Sequence, residues 1–214
     1  MVIAVTNLKG GVGKTTIATN LAAALAHRDY DVCIVDTDLG QQSSMEWSGN
    51  RSEDLKPITV VGVAQKQLTK EVSKFRKRFD VIIIDGSPQL SELADRTILA
   101  SDLVLIPLTP SLYDYRGFEN FLDRFEKING VKEAAGGSTR AYVLLNRVNP
   151  RTRASKDIVE GVKEYEMSIL DTAIVNRIAY ADSAAEGKGV VEYSDRKARE
   201  EFSRLTEELV QLIA

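Results

Sequence analysis

The chain has 214 residues, of which 43% are hydrophobic, and this length and composition predict one domain over 1–214 with one sizeable core. The net charge of −3 at pH 7 excludes a protein that attracts nucleic acid through its overall field, so any DNA contact requires a local basic patch. The single cysteine, Cys33, excludes a disulfide framework within the chain, and no apolar run approaches the roughly 18 residues of a membrane span. We therefore expect a cytoplasmic protein without an export signal.

Short apolar runs rich in β-branched residues recur along the chain and predict strands. They lie at 2–6, 32–36, 58–63, 81–85, 103–108 and 141–146. Because the runs are apolar without alternation, they are typical of parallel strands covered by helices on both faces. Helical patterns fall between them, beginning with 14–28, and the last runs from Asp195 to the end with apolar residues at spacings of three and four. The alternation predicts an α/β fold with a doubly wound, mostly parallel sheet flanked by helices, whose ligands bind where the carboxyl ends of the strands meet.

The segment after the first strand, KGGVGKTT at 9–16, is typical of a phosphate-binding loop that leads into a helix. Its glycines permit a tight turn, and the helix that follows directs unsatisfied N–H groups and its positive dipole end toward a phosphate. Lys14 would reach the terminal phosphates and the Thr15 hydroxyl would bind Mg²⁺. Leu8 occupies the position where the ordinary motif has glycine, so the loop is a variant of the P-loop NTPase type. The expected nucleotide-binding residues of this loop are Gly10, Gly11, Val12, Gly13, Lys14, Thr15 and Thr16.

Carboxylates follow two of the predicted strands. Asp36 and Asp38 stand in VDTDLGQQS at the end of the second strand, and Asp85 ends the apolar run VIIID. Asp85 occupies the position of a Walker B aspartate, which holds the hydration shell of Mg²⁺. Of the other two, one can support the metal shell and Lys14, while the other orients and polarises the attacking water. We assign the water to Asp38 and the metal to Thr15, Asp36 and Asp85.

Four segments together resemble the ParA/MinD family of ATPases. They are KGGVGKTT at 9–16, VDTDLGQQS at 35–43, IIIDGSP at 82–88 and IPLTPSLYDYRG at 106–117, which look like the family's deviant Walker A, A′ and B motifs and its proline-rich signature. The match looks closest to the short ParA-type partition ATPases that lack an N-terminal DNA-binding extension. Leu39 and Ser87 depart from the pattern, since the family usually has proline at the first position and often at the second. The resemblance implies a Mg²⁺-dependent ATPase with weak, partner-stimulated hydrolysis and with ATP and Mg²⁺ as cofactors.

The resemblance also implies how such a protein works. Lys9 would be the signature lysine, which reaches across an ATP-sandwich homodimer to the phosphates of the other subunit, so the catalytic residues would be Lys9, Lys14 and Asp38. Asn146 would contact the adenine edge. The ATP-bound dimer would bind nonspecific DNA on the nucleoid. A ParB-like or cargo-bound adaptor would stimulate hydrolysis, and the cycle would position or partition a plasmid, a chromosome or another large assembly.

Local basic clusters offer candidate contacts for DNA phosphates. The first comprises Lys66, Lys70, Lys74, Arg76, Lys77 and Arg78, the second Arg147, Arg151, Arg153 and Lys156, and the third Arg196, Lys197 and Arg199. Each alone is more typical of a solvated surface, but together they favour DNA as the partner. Arg177 lies in a segment that resembles a family region with a DNA-contacting arginine, one residue out of register.

Other classes remain as alternatives. A MinD-like membrane switch needs a basic amphipathic terminal helix, whereas this chain carries Glu207 and Glu208 and no lysine or arginine after Arg204, so we expect the helix to pack on the sheet and no membrane contact. An iron–sulfur relative needs paired cysteines. A ligase of the dethiobiotin synthetase type has no need for Lys9 in trans. Liposome flotation would test the membrane alternative, and a substrate screen would reveal a ligase.

Overall fold

The computed structural model describes residues 1–88, 92–152 and 154–213, with the side chains of 112–116, 154, 156, 157 and 213 left out of the description. Its centre is a parallel sheet of six strands in the order β3-β2-β4-β1-β5-β6. The strands are β1 (Val2–Val5), β2 (Val32–Asp36), β3 (Thr59–Gly62), β4 (Val81–Asp85), β5 (Leu103–Leu108) and β6 (Arg140–Leu145). The predicted strands and the α/β class are therefore confirmed, with differences of one residue at some strand ends.

Helices connect the strands and cover both faces of the sheet. They are α1 (Lys14–Ala26), α2 (Ser43–Gly49), α3 (Leu68–Phe75), α4 (Glu92–Ala100), α5 (Leu112–Ala134), α6 (Ala154–Lys163), α7 (Ala179–Ala185) and α8 (Arg196–Ile213). Short 3₁₀ turns occur at Gln65–Gln67 and Val190–Glu192. Within the described part of the chain, no helix combines the length and the apolar character needed to cross a bilayer.

The continuous apolar runs follow from burial on both faces. Successive side chains of a strand point to opposite sides, so each strand contributes to both helical layers. Ile3 and Val5 of β1 belong to one buried cluster with Ile17 of α1 and the apolar face of α8. Ala4 belongs to the opposite cluster, which contains Phe118 and residues of α3, α4 and α6. Each buried aliphatic side chain contributes about 1.5–3 kcal/mol, so the two layers supply most of the stability of the sheet.

The terminal helix α8 packs as the sequence predicts. Ala198, Phe202, Leu205 and Leu209 are buried in the cluster that contains the β1 side chains. Asp195 precedes the helix, and its Oδ1 accepts the Ala198 backbone N–H at 2.9 Å, which caps the first turn. The apolar stripe of α8 is therefore covered by the protein itself.

The strand order places the ends of β1, β2 and β4 side by side. β4 lies between β1 and β2, and Asp85 is the register partner of Val5 on one side and of Asp36 on the other. The loop after β1 and the carboxylates that end β2 and β4 therefore meet at one edge of the sheet.

Candidate functional site

A cavity of about 200 Å³ opens at the carboxyl ends of β1, β2 and β4. Predicted site residues that line it are Gly10, Gly11, Gly13, Lys14, Thr15, Thr16, Asp36, Asp38 and Asp85. Gln41, Ser43, Gly86, Pro88 and Arg147 also line it, although the sequence motifs did not assign them to this site. The structure thus brings together residues from Gly10 to Arg147, which lie far apart in the chain, as expected for a parallel sheet.

The loop between β1 and α1 has a backbone that requires glycine. Gly11 and Gly13 have φ angles of +78° and +90°, in the left-handed region that side chains disfavour. A Cβ atom on Gly13 would also lie 2.4 Å from Asn146 Nδ2. Asn146 is only 4% exposed, and its Nδ2 donates to the Val12 carbonyl at 2.7 Å. Asn146, which is expected from the sequence to contact the adenine base, therefore links the segment after β6 to the phosphate loop by a hydrogen bond.

Lys14 occupies the interior of the cavity. It is 7% exposed, and its Nζ donates to the carbonyl of Lys9 at 2.9 Å. Burial lowers the pKa of the Lys14 ammonium, while the nearby carboxylates of Asp85 and Asp38 act in the opposite direction. The Lys14 ammonium and the N-terminus of α1 can therefore stabilise the negative charge of an anionic ligand in this cavity.

Lys9 lies in the same loop but on its outer side. Its side chain is exposed, and within the described residues no hydrogen bond or ion pair holds its ammonium. The backbone of Lys9 is fixed, because its N–H donates to Asn7 Oδ1 at 3.1 Å and its carbonyl accepts Lys14. Gly117 of α5 packs against it, since a Cβ on Gly117 would lie 3.4 Å from Lys9 Cβ. The two lysines of the loop therefore face different surroundings, one inside the cavity and one outside.

Asp85 is a buried carboxylate with one unsatisfied oxygen. It is 3% exposed; Oδ2 accepts the Ser44 hydroxyl at 2.7 Å, whereas Oδ1 is buried and has no hydrogen-bond partner among the described residues. Burial raises the pKa of Asp85 to about 6, against the opposing effects of Ser44, Thr15 and Lys14. An orphaned buried oxygen of this kind costs about 1–3 kcal/mol, and a bound cation or its water shell would satisfy it.

Asp36 and Asp38 share the loop after β2 but differ in exposure. Asp36 is 1% exposed, and its two oxygens accept the backbone N–H groups of Asp38 and Ser44, each at 3.0 Å. Burial raises the pKa of Asp36, and these backbone hydrogen bonds oppose the rise. Asp38 is half-buried at the cavity wall, where its Oδ1 accepts the Gln41 N–H at 3.3 Å. Asp36 therefore organises the loop, while Asp38 keeps acceptor capacity toward the cavity.

Ser44 is a further residue of this site that the sequence motifs did not assign. It lies in the first turn of α2, is fully buried, and contacts both Asp36 and Asp85. The N-cap residue of α2 is Gln42, which has a φ of +51°. A serine two residues into a helix after an aspartate-rich loop carried no distinctive signal, because serine is common at helix starts for capping alone.

A second cavity of about 330 Å³ adjoins the first and shares Thr16 and Arg147 with it. Its other lining residues are Asn146, Asn176, Arg177, Tyr180, Ala181 and Ala184. Arg147 has a φ of +52°, and its Nη1 donates to the Gly11 carbonyl at 2.8 Å, so it lies between the two cavities. A ligand with a phosphate end and a planar end could span both.

The donor set fits a magnesium ion that arrives with phosphates. The Thr15 hydroxyl lines the cavity beside the unsatisfied oxygen of Asp85, and hard oxygen donors of this kind suit Mg²⁺. Within the described part of the chain there is no group of three or more histidine, cysteine or carboxylate side chains arranged to hold a metal. Phosphate oxygens and water would therefore complete the ion's coordination.

A family model described as the CobQ/CobB/MinD/ParA nucleotide binding domain matches residues 3–191. The chain belongs to this family. As a ParA/MinD-type ATPase it is 25% identical over 213 residues to the maintenance of carboxysome distribution protein A of Halothiobacillus neapolitanus, covering 97% of this chain and 95% of that protein. It is 26% identical over 234 residues to the sporulation initiation inhibitor protein Soj of Bacillus subtilis, covering 91% and 92%.

Solved structures of McdA from Cyanothece share the fold. The apo form superposes with a TM-score of 0.82 at 18% identity, covering 97% of this chain and 98% of that chain. A second structure, an ATP complex, gives 0.78 at 19% identity, covering 98% and 96%. These likenesses extend over nearly the whole sheet and both helical layers, so the predicted P-loop ATPase fold is confirmed.

The basic clusters of this ParA/MinD-type protein differ in how far their charges are compensated. Lys74 of α3 pairs with Glu71 at 2.7 Å, and Arg76, just after the helix, pairs with Asp102 at 2.7 Å. Lys70 of α3 is exposed and has no such partner among the described residues. The remaining exposed cations of that cluster are Lys66, Lys77 and Arg78.

The other clusters are more engaged or only partly described. In the third cluster Arg196 lies 3.4 Å from Glu200, and Arg199 donates to the Tyr193 carbonyl at 2.6 Å, so Lys197 is the member without a partner in the described region. Arg153 and the side chain of Lys156 lie outside the described residues. Arg177 is bound to the buried carboxylate of Glu201 at 2.6 Å. Among the described residues, the first cluster, on and around α3, therefore has the most exposed positive charge without a carboxylate partner.

Proposed function

We propose that this protein is a single-domain, Mg²⁺-dependent ATPase whose ATP-bound form is a homodimer with nucleotide between the subunits. The observation that carries the proposal is the division between the two loop lysines, because Lys14 is buried in the cavity and Lys9 is exposed and unpaired among the described residues. Lys14 would neutralise the phosphates of its own subunit. Lys9 would be free to reach the phosphates held by a second copy, as a cation supplied in trans.

The nucleotide would extend across both cavities. Its phosphates would lie against the N-terminus of α1, within reach of Lys14, and its adenine would lie in the second cavity near Asn146. Thr15 and the free oxygen of Asp85 would hold the magnesium ion, with Asp36 supporting the shell. The ion supplies neutralisation of the charge on the phosphates when it is bound.

Asp38 would orient the attacking water. It lies half-buried at the wall of the first cavity, and the only hydrogen bond of its side chain in the described region, from the Gln41 N–H at 3.3 Å, is long and leaves lone pairs available. A carboxylate that holds water without removing its proton outright gives slow hydrolysis, which suits a switch that an adaptor protein stimulates.

Sedimentation of three forms of the protein with Mg²⁺ and a nonhydrolysable ATP analogue tests the dimer. We expect the wild type to sediment as a dimer and Lys9→Ala as a monomer that retains nucleotide affinity, because Lys14 and the loop remain. Lys66→Ala is the matched control, since it removes another exposed lysine away from the loop and should still dimerise. A wild type that stays monomeric, or a Lys9→Ala variant that dimerises normally, would contradict the proposal.

We further propose that the ATP-bound dimer binds nonspecific DNA on the nucleoid. Dimerisation doubles the number of phosphate contacts, and log affinity changes by roughly 0.9 per contact for each tenfold change in salt, so weak patches become effective only in pairs. The exposed cations of the first basic cluster and Lys197 of α8 support this proposal. Retention on DNA should therefore require ATP rather than ADP, fall steeply with salt, and disappear in Lys9→Ala. DNA retention that is equal with both nucleotides would refute it.

The membrane-switch alternative has little structural support. Phe202, Leu205 and Leu209 of α8 are 0–1% exposed, so the apolar face that would enter a lipid interface is occupied by packing against the sheet. Flotation with anionic liposomes and ATP should leave the protein unbound.

The DNA-bound dimer would position a large cargo through a ParB-like or cargo-bound adaptor that stimulates hydrolysis. The Halothiobacillus relative is named for carboxysome distribution, which is one cargo of this kind. Stimulation of ATP hydrolysis by the product of the neighbouring gene would test the adaptor, and the cargo would be the assembly with which that product associates.

A further inference from the structure

The second cavity has a wall that is held from behind by Glu201 of α8. This carboxylate is 3% exposed. Its Oε1 accepts Arg177 Nη2 at 2.6 Å and Arg177 Nε at 3.0 Å, and its Oε2 accepts the Tyr180 hydroxyl at 2.6 Å and the Val175 N–H at 3.3 Å. Arg177 and Tyr180 both line the cavity. One buried side chain of the terminal helix thus fixes two side chains of the cavity wall.

The contacts leave both wall residues with a defined orientation. The phenol of Tyr180 keeps its proton and donates it, because burial and the Glu201 carboxylate both raise its pKa. The Tyr180 ring also packs edge-on against Phe202, with ring centroids 5.7 Å apart. The Arg177 guanidinium donates two N–H groups to Glu201, and its side chain is 23% exposed and lines the cavity. A buried charge held by this many donors is costly to break, so the wall is rigid before any ligand arrives.

We propose that Glu201 is a positioning residue for the base end of the nucleotide, acting by holding the Arg177 guanidinium and the Tyr180 ring against the base. The inference rests on the proposed function, in which the base lies in the second cavity. A planar guanidinium stacks on aromatic faces and presents its free N–H groups in a fixed fork. Fixing it beforehand reduces the conformational entropy lost when the base binds. Arg177 is then part of the nucleotide site rather than a free cation for DNA.

Titration calorimetry with two ligands separates positioning from general stability. MgATP carries a base, whereas magnesium tripolyphosphate carries only the phosphate chain, so only MgATP depends on the second cavity. We expect Glu201→Ala to weaken MgATP binding by about tenfold, the effect of losing one charge-assisted hydrogen-bond network, and to leave tripolyphosphate binding within about twofold of the wild type. Glu201→Gln should give a smaller loss, because its amide keeps one oxygen acceptor.

Matched controls complete the test. Glu200→Gln alters the neighbouring carboxylate, which pairs with Arg196 on the exposed side of α8, and should bind both ligands as the wild type does. Tyr180→Phe removes only the hydroxyl that donates to Glu201 and should resemble Glu201→Gln, so the comparison remains decisive if Glu201→Ala does not fold. Equal losses for both ligands, or no loss for MgATP, would overturn the inference. A wild type that binds tripolyphosphate but gains nothing from the base would instead refute the proposed placement of the base.

Discussion

Gly13 is the position where a single added methyl group should do the most damage to the phosphate loop. Its φ of +90° costs an alanine about 1–2 kcal/mol relative to glycine. The new Cβ would also lie 2.4 Å from Asn146 Nδ2, well inside the roughly 3.5 Å of a comfortable contact, so the amide must move. Moving it breaks the buried hydrogen bond to the Val12 carbonyl, which costs about 1–3 kcal/mol more. We therefore expect Gly13→Ala to lower the free energy of unfolding by about 2–5 kcal/mol.

Gly11 supplies the matched control for this experiment. It also has a positive φ, +78°, but nothing lies within 4 Å of the Cβ it would gain, so Gly11→Ala should show the backbone cost of about 1–2 kcal/mol alone. Urea unfolding of the nucleotide-free protein measures both variants. Combining Gly13→Ala with Asn146→Ala should remove the collision, so the double variant should be less destabilised than the sum of the two single variants. Equal effects of Gly11→Ala and Gly13→Ala, or strict additivity with Asn146→Ala, would refute the reasoning.

Two further predictions concern buried charge. The pKa of Asp85 rises from its ordinary 3.8 to about 6 in the folded state, so the wild type loses stability as the pH rises between about 4 and 6. Asp85→Asn has no proton to lose. In the absence of ligand, this variant should therefore be more stable than the wild type by up to about 3 kcal/mol near pH 7, but not near pH 4. A stability difference that does not change with pH in urea unfolding would contradict this. Arg51 and Glu192 form a pair at 2.6 Å with side chains 6% and 1% exposed, so Arg51→Ala should cost about 3–5 kcal/mol. Lys56→Ala, which removes the exposed partner of Asp29, should barely move the thermal midpoint, and similar midpoints for the two variants would argue against burial as the cause.

The sheet and the phosphate loop could be predicted because each leaves a pattern within a short, continuous segment of the sequence. The inner strands β1, β2, β4 and β5 are buried on both faces, so their apolar runs are continuous and their limits are visible in the sequence, as in 81–85. The loop needs glycine at Gly11 and Gly13 because both have positive φ angles, which the tight turn requires. The terminal helix was predicted to pack on the sheet because it lacks basic residues at its end, and its apolar face is indeed buried.

Contacts between distant segments could not be predicted in the same way. The sequence placed Asp36 and Asp85 at strand ends but not on neighbouring strands, since strand order depends on the packing of the whole sheet. Ser44 reaches Asp85 only because α2 starts at one particular point after a left-handed residue. Arg177 resembled a DNA contact by its neighbours in the chain, yet its partner Glu201 lies 24 residues away.

The position of β1 has a consequence for how the chain acquires its structure. β1 is a central strand, and both of its neighbours in the sheet come much later in the chain, since they begin at Val81 and Leu103. The phosphate loop that follows β1 therefore lacks its supporting strands until β4 and β5 have also been synthesised. Until then the unpaired edges of β1 are exposed and can pair with other chains. Pairing between distant segments slows folding, so protection of the β1 segment during synthesis should raise the yield of active protein.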